Sequence, residues 1–182
     1  EFIIINDGSI DKSLEIIKSY HDSRIIIIDQ INCGLTQSLN NGIQKSRSKY
    51  IARMDADDIS CSERLQVQLD FLENNPKVIV VGSNAINIEK DGNYVYTTNI
   101  TTNKDLIKHM LPYNSPFIHP SVMIRKEVLL QAGLYPLVPV AQDLFLFNRL
   151  SNYGEYANIA EPLIKYRLTP EASSRKSGKV KM

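Results

Sequence analysis

The sequence predicts an α/β fold in which a Rossmann-like, mostly parallel sheet is followed by a mixed α+β half. Up to about residue 76, short β-branched runs alternate with segments whose apolar residues recur every three or four positions, as strands alternate with helices. After Pro76, strand-like runs follow one another directly with a turn between them, which indicates a hairpin. We therefore predict one domain over residues 1–172, with a parallel-sheet half up to about residue 76 and a mixed half from about residue 77.

Three strands and three helices are expected in the first half. The apolar runs Phe2–Ile5, Arg24–Ile28 and Tyr50–Met54 suit strands buried on both faces of a parallel sheet. The helices are one capped by Asp11 or Ser13 and ending near Tyr20, one over about Leu35–Ser46, and one through Leu65, Leu69 and Leu72 that Pro76 stops.

The second half mixes strands and helices. Val78–Val81 and Ala85–Ile88 are strand-like, and the turn sequence Asp91–Asn93 leads into a returning strand at Tyr94–Tyr96. The remaining expected elements are helices at Lys104–Leu111, Lys126–Ala132 and Gln142–Asn152 and a strand at Ser121–Arg125.

Composition excludes several classes of protein. The chain has 21 Lys and Arg against 20 Asp and Glu, so no strong field draws it to nucleic acid. Cys33 and Cys61 form no CxxC pair, which argues against a disulfide framework or a zinc site and favours a reducing compartment. No apolar run approaches the ~20 residues that span a bilayer. We interpret the basic end, Ser173–Met182, as a solvated tail, with contact to a membrane or a partner as the alternative.

The richest candidate site is Met54–Asp58, where three carboxylates follow an apolar strand. Such close like charges need a cation to offset them, and their oxygens suit Mg²⁺ or Mn²⁺. Ligands of parallel sheets also bind beyond the carboxyl ends of the strands, where this cluster lies. The alternative is a polar loop in which Asp58 or Ser60 caps the next helix.

Other candidate residues are weaker when taken alone. Asp7 follows the first strand and suits a hydrogen bond to a base or ribose, but an Asp-Gly pair is more often a tight turn. Asp143 stands at the start of a helix, where a carboxylate is more often a cap. His119 is more often structural than a ligand. The two acidic loops that follow equivalent strands nevertheless suggest a pocket for a nucleotide and a metal.

The chain resembles the family 2 glycosyltransferases over nearly its whole length, because a series of short segments occurs in the family's order and spacing. These segments are Asn6–Ser9, Asn32–Leu35, Leu39–Ile43, Tyr50–Asp58 with Arg64–Leu65, His119–Arg125, Gly133–Tyr135, Gln142–Leu144, Arg149–Leu150 and Glu161–Arg167.

This resemblance implies a GT-A fold, with a Rossmann-like nucleotide-binding half over about residues 1–76 and an acceptor-side half over about residues 77–172. It also implies the transfer of a sugar from a nucleotide diphosphate, with inversion, to an acceptor hydroxyl. Asp57 and Asp55 then correspond to the DxD motif, which holds a divalent cation, Mn²⁺ or Mg²⁺, with Asp55 also near the ribose. Asp143 corresponds to the catalytic base. The resemblance also implies the partners of the protein: a UDP-sugar as donor and a saccharide or lipid-linked saccharide as acceptor. It implies a location in the cytoplasm or at the inner face of the membrane. The further implied contacts are to the nucleotide from Asp7, Asn32 and Gly34 and, on the acceptor side, from His119 and Gln142.

Two departures from the family pattern leave alternatives open. The family usually shows Glu-Asp where this chain has Gln142 and Asp143, so a like charge beside the base is missing. The family also has an earlier strand, helix and nucleotide-contacting loop before Phe2–Ile5, so we expect the domain to lack its first strand. The alternatives are a nucleotidyltransferase, whose glycine- and lysine-bearing phosphate loop would lie in the missing start, and a GT-A-like module that binds nucleotide without activity.

Overall fold

The computed structural model describes residues 1–169, which form two sheets and six α-helices. The predicted basic tail lies outside the described residues. The strands are β1 (Phe2–Asp7), β2 (Ile25–Gln30), β3 (Tyr50–Ala52), β4 (Ile59–Ser60), β5 (Val78–Ile88), β6 (Tyr94–Thr97), β7 (Met123–Arg125) and β8 (Glu155–Arg167). The helices are α1 (Ser13–Lys18), α2 (Leu35–Lys45), α3 (Arg64–Asn74), α4 (Lys104–Met110), α5 (Lys126–Gln131) and α6 (Gln142–Leu150).

The two sheets differ in strand direction. β1 and β2 pair in parallel, from Phe2 opposite Ile25 to Asp7 opposite Gln30, as the βαβ pattern predicts. The larger sheet has the order β3-β7-β5-β8-β4, and β6 also pairs with β5. Within it β5 and β8 are parallel, whereas the other pairs are antiparallel. The expected hairpin between β5 and β6 is confirmed, and the mixed second half with it.

The prediction that β3 continues the first parallel sheet is wrong. β3 pairs with β7 in the antiparallel sense, with Tyr50 opposite Arg125 and Ala52 opposite Met123. A strand of three residues carries no directional signal of its own, so its partner is decided by tertiary contact. The end of β3, where the carboxylates begin, is therefore fixed by the larger sheet.

Several further boundaries differ from the prediction. β5 is one strand rather than two, and it passes through Gly82, where an added Cβ would lie 2.5 Å from Asn158 Oδ1. The long strand β8 was not predicted, because Pro162 interrupts its apolar pattern. That proline lies opposite Asn84, where the register of β5 and β8 shifts. The expected strand at Ser121–Arg125 is shorter, because a 3₁₀ turn occupies His119–Ser121.

The core lies on both faces of β5, which is buried along almost its whole length. One apolar cluster joins β5 to α4, α5 and α6 through residues such as Ile107, Leu129 and Phe147. The other joins it to α3 through Leu72. Burial on both faces makes β5 and its neighbours a rigid base for the loops that follow them. No helix within residues 1–169 is long and apolar enough to cross a membrane.

Candidate functional site

Asp7, at the end of β1, organises the loop that enters α2. Its carboxylate accepts hydrogen bonds from Gln30 Nε2 at 2.8 Å and from the backbone N–H groups of Cys33 and Gly34, both at 2.9 Å. The Asn32 side chain donates to the Asp7 carbonyl at 3.0 Å. The hydrogen bonds from Gln30 and then Cys33 hold the pKa of Asp7 well below its usual range. Asp7, Asn32 and Gly34, the three residues that the resemblance assigns to the nucleotide, therefore form one cluster.

The backbone of this cluster requires glycine at two positions. Gly8 and Gly34 have positive φ angles of 72° and 85°. A Cβ on Gly8 would lie 2.8 Å from the backbone nitrogen of Asn32, whereas one on Gly34 would meet no atom within 4 Å. Gly8 thus allows the two loops to touch, and Gly34 leaves the start of α2 open to a ligand.

The segment Arg53–Asp58, which follows β3, begins with an ion pair between the buried Arg53 and Asp55 that the sequence did not indicate. Arg53 is 6% exposed and holds the Asp55 carboxylate at two points, with Nη1 donating to Oδ2 at 2.8 Å and Nη2 donating to Oδ1. Such a two-point contact fixes the plane of the carboxylate. Arg53 Nε is buried and has no hydrogen-bond partner among residues 1–169.

Side chains of helix α3 hold the backbone at Arg53. Arg64, which is 1% exposed, donates from Nη2 to the carbonyl of Arg53 at 2.7 Å and from Nε to Gln68 at 3.0 Å. Gln68 in turn donates to the carbonyl of Ser121 at 2.7 Å. Burial lowers the pKa of Arg64 to about 10, with the Arg53 charge as the next cause. The sequence motif containing Arg64 thus positions the end of β3 rather than contacting a ligand.

The alternative prediction, that Asp58 or Ser60 caps the next helix, is wrong. Helix α3 begins at Arg64 with Glu63 before it, and Ser60 lies in β4. Asp58, at 6% exposure, accepts from the backbone N–H of Arg167 at 2.8 Å through Oδ1. Its Oδ2 is buried without a hydrogen-bond partner in the described part of the chain. Burial, aided by the charges of Asp55 and Asp57, raises the pKa of Asp58 to about 6.

The residues fit a divalent cation held by few protein ligands. Asp57 is exposed, and the loop that carries it is held by Arg167 Nε, which donates to the Asp57 carbonyl at 2.8 Å. Within residues 1–169 no three His, Cys, Asp or Glu side chains converge as a preformed metal site. Mg²⁺ characteristically uses one or two carboxylates and completes its shell with water and phosphate oxygens. The orphaned Asp58 Oδ2 and the exposed carboxylate of Asp57 supply oxygens of the kind that such a cation binds.

Of the residues predicted for the acceptor side, His119 contacts Tyr135. His119 Nε2 lies 2.8 Å from the Tyr135 hydroxyl, and the two rings are tilted at a centroid distance of 5.5 Å. Burial raises the pKa of Tyr135, and the charges of Asp143 and Asp55 act in the same direction while Arg53 opposes them. The two carboxylates predicted as base and DxD residue therefore both lie within electrostatic reach of one hydroxyl.

Asp143 stands in the first turn of α6, but it is not the cap. The residue before the helix is Ala141, with a φ angle of 57° in the left-handed region and no side-chain cap. Asp143 and Gln142 are half-buried at the start of the helix. The strained entry at Ala141 costs free energy on the order of 1 kcal/mol or more.

Helix α2 links the two clusters. Asn40 donates from Nδ2 to the Tyr135 carbonyl at 2.9 Å and accepts through Oδ1 from the Tyr135 backbone N–H at 3.0 Å. Both residues are buried, and they are 95 positions apart in the sequence. The same helix starts at the loop that Asp7 holds. The cluster around Asp7 and the cluster around Tyr135 are thus joined through one helix.

Sequence reasoning missed Arg53, Tyr135 and Asn40 as members of this site. Each lies inside a segment that carries the family resemblance, but nothing in residue type or spacing marks it.

His119 is expected to make stability depend on pH. Burial, with Arg53 as the second cause, lowers the pKa of His119 well below its usual value. The folded state then binds fewer protons than the unfolded state, so the contribution of neutral His119 is complete above about pH 6.5 and is lost as pH falls below it. We expect the melting temperature of His119→Gln to fall less than that of the wild type between about pH 7 and about pH 5. The exposed His21 provides the control His21→Gln, which should keep the wild-type slope; an equal slope in His119→Gln would contradict the expectation.

The chain is similar in sequence to known glycosyltransferases. The sequence model of glycosyl transferase family 2 matches residues 1–133, which include Asp7, Asp55, Asp57 and His119 but not Asp143. Two similar relatives are the amylovoran biosynthesis glycosyltransferase AmsE of Erwinia amylovora, 28% identical over 98% of this chain and 68% of the relative, and an uncharacterized glycosyltransferase of Haemophilus influenzae, 36% identical over 92% and 56%.

Solved structures support the fold. S. aureus TarS 1-349 in complex with UDP-GlcNAc superposes with a TM-score of 0.75 at 16% identity, covering 98% of this chain and 52% of that one. The likeness confirms the predicted GT-A architecture. The chain spans about half of TarS 1-349 and 56% to 68% of the two relatives. Since the family model covers well over half of the residues and the same segments build both clusters, the chain belongs to glycosyl transferase family 2.

Proposed function

We propose that the protein transfers a sugar from a UDP-sugar to an acceptor hydroxyl with inversion, assisted by a divalent cation and with Asp143 as the base. The observation that carries the proposal is the gathering of Asp143, Tyr135, His119 and the Arg53–Asp55 pair, joined through Asn40 to the Asp7 loop. Two similar proteins support the donor: TarS has been crystallised with UDP-GlcNAc and with UDP, and an Escherichia coli relative, 27% identical, is a UDP-Gal:alpha-D-GlcNAc-diphosphoundecaprenol beta-1,3-galactosyltransferase.

In the proposed reaction, the acceptor oxygen attacks the anomeric carbon from the face opposite the diphosphate. The carbon–oxygen bond to the diphosphate breaks, and Asp143 takes the proton from the acceptor hydroxyl. When bound, the cation supplies Lewis-acid neutralisation of the leaving diphosphate. The chain's own part is to hold the nucleoside near the Asp7 loop, to fix Asp55 and Asp57 at the end of β3, and to place Asp143 on the acceptor side.

The acceptor proposed is a saccharide or a lipid-linked saccharide, in the cytoplasm or at the inner face of the membrane. The second candidate is a nucleotide-binding module without catalysis, which the replacement of a glutamate by Gln142 favours. Incubating the full-length protein with UDP-sugars and Mn²⁺ separates the two. Release of UDP that depends on a saccharide acceptor is expected for the transferase, whereas UDP binding without turnover of any donor would identify the module.

Asp7→Ala is expected to weaken UDP binding by about tenfold or more, since charge-assisted hydrogen bonds are worth 1.5–3 kcal/mol. The loss should appear both with and without Mn²⁺, because Asp7 holds the Asn32–Gly34 loop and not the cation. Calorimetric titration with UDP measures it. Asp11→Ala is the matched control, because the exposed Asp11 accepts a hydrogen bond from Ser13 just beyond the same turn. Weakening confined to the titration with Mn²⁺ would contradict the assignment.

A further inference from the structure

Arg53 is a buried cation whose charge is committed to one carboxylate of the proposed cation site. Both of its terminal nitrogens contact Asp55, and its side chain is 6% exposed against 34% for that of Asp55. A guanidinium keeps its charge at any physiological pH. While the site is empty, Asp55 is therefore neutralised from within the protein.

The surroundings of Arg53 distinguish this pair from an ordinary surface ion pair. Arg24 and Asp22 have the same spacing of two residues and also form a two-point contact, but their side chains are 78% and 37% exposed. Exposed pairs contribute little because water screens them. Arg53 instead acts on the titration of both His119 and Tyr135, and its backbone is held at the carbonyl by Arg64. It is therefore anchored where it cannot move its charge into solvent.

A divalent cation that binds the Asp55 carboxylate lies close to the positive charge of Arg53. The carboxylate oxygens already accept from the guanidinium, and the two cations repel each other in a partly buried site. If the cation takes Asp55, the N–H groups of Arg53 lose an anionic partner while Nε already lacks one. A guanidinium in this situation suits the oxygens of a phosphate, which it can also contact at two points.

We infer that Arg53 couples the two ligands of the site, competing with the divalent cation for Asp55 until a nucleoside diphosphate takes over the guanidinium. The inference rests on the proposed function and deepens it. Cation alone then binds weakly, whereas cation and diphosphate bind together.

The test measures Mn²⁺ affinity of the full-length protein alone, with UDP and with uridine, which lacks the diphosphate. In the wild type, UDP should tighten Mn²⁺ binding and uridine should not. Arg53→Gln should bind Mn²⁺ alone at least about tenfold more tightly than the wild type, because the substitution removes a positive charge that contacts Asp55 and repels the cation. Its gain from adding UDP should be smaller. Arg24→Gln, which breaks the exposed pair, should match the wild type.

Unchanged or weaker binding of Mn²⁺ alone by a folded Arg53→Gln would overturn the inference. If that variant does not fold, Arg53→Lys decides, because lysine keeps the charge without the planar two-point contact: it should bind Mn²⁺ alone more tightly than the wild type, and equal affinity would overturn the inference. Absence of Mn²⁺ binding by every variant also overturns it. Metal-free UDP affinity and donor turnover, measured on the same samples, show separately whether the proposed function stands.

Discussion

Asp143→Asn in the full-length protein is expected to lower turnover by a factor of ~100 or more, because a general base contributes about 100- to 10,000-fold. The amide keeps the size of the side chain but cannot take the acceptor proton. Donor affinity should stay within about three-fold, since Asp143 stands at the start of α6 and not in the Asp7 loop. Steady-state turnover and a separate UDP titration measure the two effects.

The control for this substitution is Asp105→Asn. Asp105 is an exposed carboxylate in the first turn of α4, as Asp143 is in the first turn of α6, so any loss through helix charge alone should appear in both. Asp105→Asn should keep wild-type turnover. Wild-type turnover in Asp143→Asn would reduce Asp143 to a residue that only stabilises the start of α6.

The second large effect is expected from Asp57→Asn, which should abolish the part of UDP binding that depends on Mn²⁺. Asp57 is exposed, and among residues 1–169 no arginine contacts its carboxylate as Arg53 contacts that of Asp55, so it is the carboxylate most open to a cation. Asparagine keeps the shape and removes the charge. Calorimetric titration with UDP should give the same affinity with and without Mn²⁺ in the variant.

Asp91→Asn provides the matched control, because Asp91 is an exposed loop aspartate between β5 and β6. It should retain the full gain in UDP affinity from Mn²⁺. If Asp57→Asn retained that gain as well, Asp57 would be a loop residue, and the cation would have to be assigned to Asp55 and Asp58 or dismissed.

The site could be predicted in part because its charged residues follow strands. Asp7 and the carboxylates after β3 stand where an apolar run ends, and the family resemblance marks Asp143 and His119. Their surroundings could not be predicted. Three contacts depend on which segments pack together: the loop after β2 occupies Asp7, Arg53 holds Asp55, and Asp58 is buried beside Arg167. No local sequence pattern encodes such tertiary packing.

The sequence by itself determined the alternation of strands and helices in the first half, the β5–β6 hairpin and the positions of the candidate acidic residues. These follow from side-chain periodicity and turn chemistry, which act over a few residues. Only the tertiary structure decided that β3 pairs with β7, that β8 runs beside β5 through Pro162, and that Asn40 joins Tyr135 across 95 positions. Such contacts form because buried strands and side-chain amides must satisfy their hydrogen bonds with the groups that the packed chain brings near them. Which groups those are depends on the packing of the whole chain.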